Sequence, residues 1–174
     1  MFERITEETF DEIFPLLENA FPVTELRTKE DQRALLQEAA YVLYGVRKND
    51  AFAAAFATWE IDDFLFIEHF AVQEEERNNG YGSMLLDALM REMGRPVVLE
   101  VEEPTDTLTR RRIAFYERHG LVYNMYFYLQ PPLRRENALL PLKLMTKPGG
   151  INEETFLQYR KRLYEVVYKY TEQE

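Results

Sequence analysis

Three residues between a strand-like segment and a helical segment have the types and spacing of an anion-binding loop. Arg77, Gly80 and Gly82 follow the apolar run Phe64 to Val72, and a helical pattern begins at Tyr81. Glycine lets the backbone approach a ligand closely, and the first turn of a helix offers unpaired N–H groups at the positive end of its dipole. This arrangement favours the binding of a pyrophosphate group.

Two familiar phosphate-binding loops are excluded by their spacing. A Walker loop needs Gly-Lys-Ser/Thr where this chain has Gly82-Ser83-Met84, and a dinucleotide fingerprint needs a third glycine where it has Leu85. The sequence therefore excludes a P-loop nucleotidase and a nicotinamide-dependent enzyme. An ordinary glycine turn stays open as the alternative to a ligand-binding loop.

The loop and a later segment carry the signature of a known family. Arg77-Asn78-Asn79-Gly80-Tyr81-Gly82 matches Arg/Gln-x-x-Gly-x-Gly/Ala, the acetyl-CoA signature of the GNAT superfamily of N-acetyltransferases. Arg112 to Leu121 is similar to the family's later helix, Ala-x-x-x-Tyr-Glu-x-x-Gly-Phe, with Tyr116 on the family's tyrosine. The chain therefore resembles this superfamily over residues 64 to 123. Departures from the usual residues occur at three positions: Thr109, Arg112 and Leu121.

The resemblance implies an α/β, GNAT-like (acyl-CoA N-acyltransferase) fold, with a mixed, mostly antiparallel central sheet flanked by helices. It also implies acetyl-CoA as co-substrate and no metal ion. The backbone of Phe70, Ala71 and Val72 would pair with the pantetheine arm as an added strand does. The pyrophosphate would be held by the loop and the start of the helix, which comprise Arg77, Asn78, Asn79, Gly80, Tyr81, Gly82 and Ser83.

Transfer of an acetyl group from a thioester to an amine needs a base for the ammonium proton and an acid for the departing sulfur. The resemblance makes Tyr116 the candidate acid, with a packed core tyrosine as the alternative. Glu68 is the candidate base, because strand alternation would place it with Phe66 and Phe70 on one face, where an apolar setting raises a carboxyl pKa. A salt-bridged or solvated carboxylate is the alternative. His69 is expected on the opposite face, as a packing residue.

These residues together predict an enzyme that moves the acetyl group of acetyl-CoA to a primary amine of a small molecule or peptide by direct attack. The chain has no cysteine, which agrees with transfer that forms no thioester on the enzyme and excludes thiolate metal sites. A non-catalytic acyl-CoA-binding or sensor domain is the main alternative. A structural dimerisation protein is a third.

The charge of the chain limits its partners. Asp and Glu number 31 against 21 Lys and Arg, a net charge of −10, which disfavours nucleic-acid binding and favours a cationic acceptor. Glu100, Glu102 and Glu103 could face that amine, or they could form a solvated strand end.

No apolar run reaches the ~18 residues of a membrane span, and Met1 to Glu8 is acidic where a secretion signal is basic and apolar. We therefore expect a cytoplasmic protein without membrane association.

Turn signals divide the chain into short elements of one expected domain, residues 1–174. The last helix, about 152–170, has an apolar stripe that predicts either core packing or a homodimer surface, and it lies partly outside the family signature. A second candidate dimer surface is the aromatic segment Tyr123 to Tyr128. After a short N-terminal strand, the other strands are expected at Tyr41–Arg47, Ala51–Ile61, Phe64–Val72, Val97–Val101, Leu121–Leu129 and Leu139–Thr146. The other helices are expected at 6–20, from Thr28 to about Ala40, from Tyr81 to near Gly94 and at Thr109–His119.

Overall fold

The computed structural model describes residues 1–172, which form an eight-stranded sheet with helices against both faces. The strands are β1 (Glu3–Arg4), β2 (Tyr41–Lys48), β3 (Ala51–Ile61), β4 (Phe64–Val72), β5 (Val97–Val101), β6 (Val122–Tyr123), β7 (Tyr128–Gln130) and β8 (Leu140–Lys147). The helices are α1 (Phe10–Ala20), α2 (Lys29–Ala34), α3 (Tyr81–Met93), α4 (Thr107–Arg118) and α5 (Glu153–Arg162), the last continued by a π-helical turn, Leu163–Tyr168.

The strand order confirms the mixed, mostly antiparallel sheet. The order is β1-β2-β3-β4-β5-β8-β6, with β7 paired to β8, and the one parallel pair is β4 with β5. Two-residue turns connect β2 to β3 and β3 to β4. Asn49 (φ 52°), Asp50 (φ 65°) and Asp62 (φ 49°) adopt the left-handed conformation that such turns require and that Asn and Asp tolerate.

The two faces of the sheet bury separate apolar clusters. Side chains of α1 and α5, such as Phe10, Leu17 and Phe156, pack on one face, and the apolar stripe of α3 packs on the other. Leu163 and Val167, which belong to the stripe of the last helix, are buried in the first cluster. Of the two expectations for that stripe, core packing is therefore confirmed. We call the face that carries α1 and α5 the α1 face, and the opposite face the α3 face.

One extra residue in β4 determines where the sheet opens. Ala57 pairs with His69 and Thr58 pairs with Ile67, so Glu68 is a bulge residue with no partner on β3. On the other side, β4 pairs with β5 only as far as Ile67 opposite Leu99. Beyond this point β4 and β5 separate, and the gap between their carboxyl ends forms a cleft.

Local side-chain chemistry shifts several expected boundaries. The expected strand Leu121–Leu129 is wrong, because Asn124 uses its side-chain amide to bond the backbone of Val122 and Leu144, which separates β6 from β7. The second helix ends at Ala34 and continues only as a 3₁₀ turn, Leu35–Gln37, rather than as α-helix to Ala40.

The fourth helix begins two residues earlier than expected, at Thr107. Asp106 and Thr109 form a capping box in which each side chain bonds the other's backbone amide. The departure from the family pattern at Thr109 therefore has a structural role at the start of this helix.

Candidate functional site

A cleft of about 640 Å³ occupies the gap between β4 and β5. Its walls come from β4, from the loop and first turn of α3, from the carboxyl end of β5 and from α4. Gln73 N–H donates to Ala53 O, and in an antiparallel ladder the amides that face the partner strand alternate. The N–H of Ala71 therefore points toward β3, whereas those of Phe70 and Val72 point into the gap left by β5. These two amides are the donors that an added extended chain would use.

The loop after β4 presents the amino end of α3 to the cleft. Asn78 (φ 65°) and Gly80 (φ 82°) take left-handed conformations that turn the chain sharply into the helix. Gly82 and Ser83 are the second and third helical residues, so their amides have no acceptor within the helix. Free amides and the positive end of the helix dipole together make an anion-binding surface.

Eight of the ten expected coenzyme-binding residues line this cleft: Phe70, Ala71, Val72, Arg77, Asn78, Gly80, Gly82 and Ser83. The other two have structural roles beside it. Asn79 accepts the amide hydrogen of Tyr81 on its side-chain oxygen at 3.2 Å, so that amide is already bonded. The ring of Tyr81 lies 5.4 Å from the ammonium nitrogen of Lys48.

Arg77 links the loop to the strand. Its Nε donates to the carbonyl of Val72 at 2.8 Å, while the rest of the exposed guanidinium stays at the mouth of the cleft. This bond holds the loop against the end of β4 and occupies one backbone acceptor of the gap. The neighbouring amide of Val72 keeps its position as a donor to the cleft.

Tyr116 lies in the cleft wall on α4, with its ring edge-on to Phe115. Burial raises the pKa of Tyr116 above its ordinary value, and the charge of Arg112 offsets this only in part. The phenol therefore stays protonated at neutral pH. A protonated hydroxyl in the wall of this cleft can act as a proton donor.

Glu68 occupies a different environment from the apolar one expected for a base. Arg27 Nη1 donates to its Oε2 at 2.9 Å, Arg27 Nη2 lies 2.8 Å from its Oε1, and Trp59 Nε1 donates to Oε2 at 3.3 Å. Burial by itself would raise the pKa of Glu68, but the paired guanidinium outweighs burial and holds the pKa below its ordinary value. The expectation of a raised pKa is wrong, and the geometry argues against Glu68 as the base.

The bulge also corrects the expected faces of β4. Phe66 packs in the cluster of the α1 face, whereas Phe70 packs against the cluster of the α3 face, so the two rings do not flank one side chain. His69 lies on the same side as Glu68, with its Nδ1 3.6 Å from Glu68 Oε2, and its Nε2 donates to the carbonyl of Glu25 at 2.7 Å. The extra residue breaks the alternation on which both expectations depended.

Glu100 on β5 has the environment that was expected for Glu68. Its Oε1 accepts from Tyr168 and from Gln130, whereas its Oε2 is buried with no hydrogen-bond partner among residues 1–172. Burial raises the pKa of Glu100 to about 7, and the negative charge of Glu68 adds to that rise. A carboxyl group that titrates near neutrality and lines the cleft can accept a proton from a bound amine. The sequence signal for Glu100 is a lone acid within the apolar run of β5.

The mouth of the cleft near α4 is acidic. Glu25 and Glu102 line it together with Arg112, which donates to Glu102 at 3.3 Å. Burial and the nearby charge of Glu102 raise the pKa of Glu25, against an opposing effect of Arg112. Across the whole cleft, the four carboxyl groups of Glu25, Glu68, Glu100 and Glu102 lie with three lining guanidinium groups, those of Arg77, Arg112 and Arg118. Arg27 lies behind the wall, paired with Glu68.

Within residues 1–172, no group of three or more His, Cys, Asp or Glu side chains could hold a metal ion. No helix of that part of the chain is long and apolar enough to cross a membrane.

Comparisons with known proteins agree on one family. Residues 6–121 match the sequence profile of the Acetyltransferase (GNAT) family. A solved structure from Bacteroides thetaiotaomicron, assigned to the GNAT family of acetyltransferases, is 31% identical; it covers 98% of this chain and 99% of its own, with a TM-score of 0.92. YjbC of Bacillus subtilis, assigned as an acetyltransferase, is 26% identical over 160 residues, which are 90% of this chain and 81% of YjbC.

A GNAT-family acetyltransferase from Elizabethkingia anophelis, solved with acetyl-CoA bound, has the same fold. It is 18% identical, covers 84% of this chain and 95% of its own, and superimposes with a TM-score of 0.59.

Proposed function

Because the chain belongs to the GNAT family of acetyltransferases, we propose that it transfers the acetyl group of acetyl-CoA to a primary amine of a small molecule or peptide. The observation that carries this proposal is the convergence of three features on one cleft. These are the free amides of β4 and α3, the protonated Tyr116 and the titratable Glu100. The proposal treats the chain as a single catalytic domain.

The placement of acetyl-CoA follows from the two sets of free amides. The amides of Phe70 and Val72 suit the amide-containing pantetheine arm, which would extend β4 toward the space left by β5. The amides of Gly82 and Ser83, at the positive end of α3, suit the pyrophosphate. The Elizabethkingia relative, solved with acetyl-CoA, supports this choice of co-substrate.

The proposed reaction is a direct attack of the amine nitrogen on the thioester carbonyl carbon. Glu100 takes one proton from the ammonium group, which frees the lone pair of the nitrogen. A carbon–nitrogen bond then forms, the carbon–sulfur bond breaks, and Tyr116 gives its phenolic proton to the departing sulfur. The nitrogen loses its second proton as the amide forms, and that proton returns the Tyr116 phenolate to the phenol. The amide of Phe70 or Val72 is placed to donate to the carbonyl oxygen, where negative charge develops.

Glu68 has a positioning role in this scheme. Its ion pair with Arg27 fixes the bulge that opens the sheet, and its charge favours the protonated form of Glu100 in the empty cleft. Burial and this charge raise the pKa of Glu100 to about 7, so the carboxylate form that accepts the ammonium proton is present from about neutral pH upward.

The acceptor is proposed to be a cationic amine. The carboxyl groups of Glu25, Glu100 and Glu102 line the acceptor end, and Arg112 provides the one cation among these four side chains. A negative potential at the mouth raises the local concentration of a cationic acceptor and disfavours an anionic one.

An assay of CoA release over a panel of amines tests this function. The chain has no cysteine, so a thiol reagent detects only the released CoA. Diamines and polyamines, which carry more than one cation, are expected to be acetylated faster than zwitterionic amino acids and than anionic ones such as glutamate. A faster rate with anionic acceptors would contradict the acidic acceptor site. Binding of acetyl-CoA without release for any acceptor would instead support a non-catalytic acyl-CoA-binding domain.

A further inference from the structure

Three side chains outside the catalytic pair form a hydrogen-bonded chain that ends at the coenzyme loop. Asp87 Oδ1 lies 2.7 Å from His119 Nδ1, and His119 Nε2 lies 3.1 Å from Ser83 Oγ. Asp87 and Ser83 stand one turn apart on α3, and His119 is the C-cap residue that follows α4. Ser83 is the third residue of α3 and lines the cleft at the proposed pyrophosphate site.

The position of the imidazole ring is fixed by its surroundings. The ring lies 4.8 Å from that of Phe115, and the backbone carbonyl of His119 accepts from Lys147 Nζ at 2.9 Å. The His119 side chain is only 8% exposed, whereas that of Asp87 is 54% exposed. The ring is therefore held in place between α3 and α4 by packing and by hydrogen bonds at both nitrogens.

The chemistry of the three groups limits where the protons lie. An ionised carboxylate only accepts, so His119 Nδ1 carries a hydrogen and donates it to Asp87. When the ring is neutral, Nε2 has a lone pair and takes the hydroxyl hydrogen of Ser83. When the ring is protonated, Nε2–H donates to Ser83 Oγ, and the Ser83 hydroxyl is free to donate into the cleft.

An anion beside Ser83 favours the arrangement in which the His119 ring is protonated, for two reasons. The hydroxyl then donates to the anion instead of presenting lone pairs to it, and the ring adds a positive charge that Asp87 stabilises from its far side. Two cations have contacts in this region: Lys147 on β8 bonds the backbone carbonyl of His119, and the guanidinium of Arg118 lies 5.9 Å from the Phe115 ring.

We propose that Asp87, His119 and Ser83 form a proton relay through which binding of the coenzyme pyrophosphate draws one proton from solvent onto His119 Nε2. This inference rests on the proposed function, since it takes the pyrophosphate to lie at the amino end of α3. His119 is a positioning residue here, and Ser83 is the residue that contacts the coenzyme. The relay gives the loop a side-chain charge in addition to its backbone donors.

Calorimetric titration with dephospho-coenzyme A, repeated in buffers of different ionisation enthalpy, tests the relay by counting the protons taken up. This probe keeps the pyrophosphate and lacks the 3′-phosphate, whose own titration near neutrality would confuse the count. The wild type is expected to take up a measurable fraction of a proton above neutral pH. His119→Gln, which can bond Ser83 but cannot gain a proton, is expected to take up less and to bind about ten-fold more weakly.

Two further variants distinguish loss of the relay from misfolding of the His119→Gln protein. Ser83→Ala removes the hydroxyl link, and Asp87→Asn keeps an acceptor for Nδ1–H but removes the negative charge that stabilises a protonated ring. Both leave the imidazole in place and are expected to lower the proton count. Glu92→Gln, at an exposed carboxylate on the same helix, is the matched control and is expected to leave the count unchanged.

Equal proton uptake and equal affinity in wild type and His119→Gln would overturn the relay and leave the proposed function standing. Failure of the wild type to bind dephospho-coenzyme A or acetyl-CoA would instead contradict the proposed function itself.

Discussion

Arg27 and Glu68 form a buried ion pair at the point where β4 separates from β5. Arg27 Nη2 lies 2.8 Å from Glu68 Oε1, and the two side chains are 8% and 1% exposed. Glu68 is also the bulge residue of β4, so the pair holds the irregular part of the strand that opens the cleft. The neighbouring acid Glu100 lacks such a partner and retains a pKa of about 7. This contrast is the basis on which we propose a structural role for Glu68 and proton transfer for Glu100.

Removal of the guanidinium from this pair should destabilise the fold strongly. Arg27→Met leaves a buried carboxylate without its counter-charge, which is expected to lower the free energy of unfolding by about 3–5 kcal/mol. The pair Arg27→Met with Glu68→Gln removes both charges and should recover much of that loss. Urea unfolding at pH 7 measures all three proteins. Equal stability of the single variant and the wild type would contradict the buried pair.

The rate of acetyl transfer should report the titration of Glu100. Its carboxylate form is the base, so kcat/KM is expected to rise about ten-fold per pH unit below pH 7 and to level off above it. Glu100→Gln should lower the rate about 100-fold or more and remove this step. Glu103→Gln, at the end of the same strand segment, is the control. An unchanged profile in Glu100→Gln would exclude Glu100 as the base.

The carboxyl group of Glu100 should also make the free energy of unfolding depend on pH, independently of catalysis. Folding raises the pKa of Glu100 from its ordinary value of 4.5 to about 7, so the folded state binds this proton more tightly. The group therefore contributes stability below about pH 4.5, and that contribution is lost as the pH rises through 7. The unfolding free energy of Glu100→Gln minus that of the wild type should therefore increase from pH 4.5 to pH 8, by an amount on the order of 3 kcal/mol.

Loss of the Tyr116 hydroxyl should slow turnover without weakening coenzyme binding. Tyr116→Phe keeps the ring and its packing on Phe115, so the fold and the affinity for acetyl-CoA are expected to stay close to wild type. The rate should fall about 100-fold, since the departing sulfur then lacks its proton donor. Tyr123→Phe, a half-buried tyrosine outside the cleft lining, serves as the control. A variant with full turnover would show that Tyr116 only packs.

A methyl group at Gly82 should affect the coenzyme more than the protein. An added Cβ would meet Val72 at 3.6 Å and Phe70 at 3.7 Å, which is ordinary contact, and alanine stabilises a helix relative to glycine. Gly82→Ala is thus expected to keep its melting temperature. It should bind acetyl-CoA about ten-fold more weakly, because the methyl enters the space of the pyrophosphate. A ten-fold loss of affinity corresponds to about 1.4 kcal/mol. Gly94→Ala, at a left-handed helix end (φ 61°), should show the opposite pattern, with a lower melting temperature and unchanged affinity.

The structure of the loop after β4 could be predicted from the sequence because its signals are local. The glycines, the helix start at Tyr81 and the apolar β4 all lie within about twenty residues, and each follows from spacing and backbone chemistry. The meander of β2, β3 and β4 was predictable for the same reason, since Asn49-Asp50 and Asp62-Asp63 mark its two turns.

The different environments of Glu68 and Glu100 could not be predicted from the sequence, because they depend on distant residues. Glu68 is paired with Arg27, 41 positions away, through a bulge that no local pattern marks. Glu100 depends on Gln130 and Tyr168, which β7 and the turn after α5 bring to β5. A one-residue bulge reverses the expected faces of Phe70 and His69, and periodicity alone contains no information about it.

A titration of ¹⁵N-labelled protein with acetyl-CoA, followed by amide chemical shifts, tests the central claim most directly. The largest changes are expected at the amides of Phe70, Val72, Gly82 and Ser83, the four donors that face the cleft. The amides of β1 and of Phe10 to Leu17 in α1 lie outside the cleft lining and should be unaffected. Saturable binding with these four amides unshifted, or no binding at all, would contradict the account.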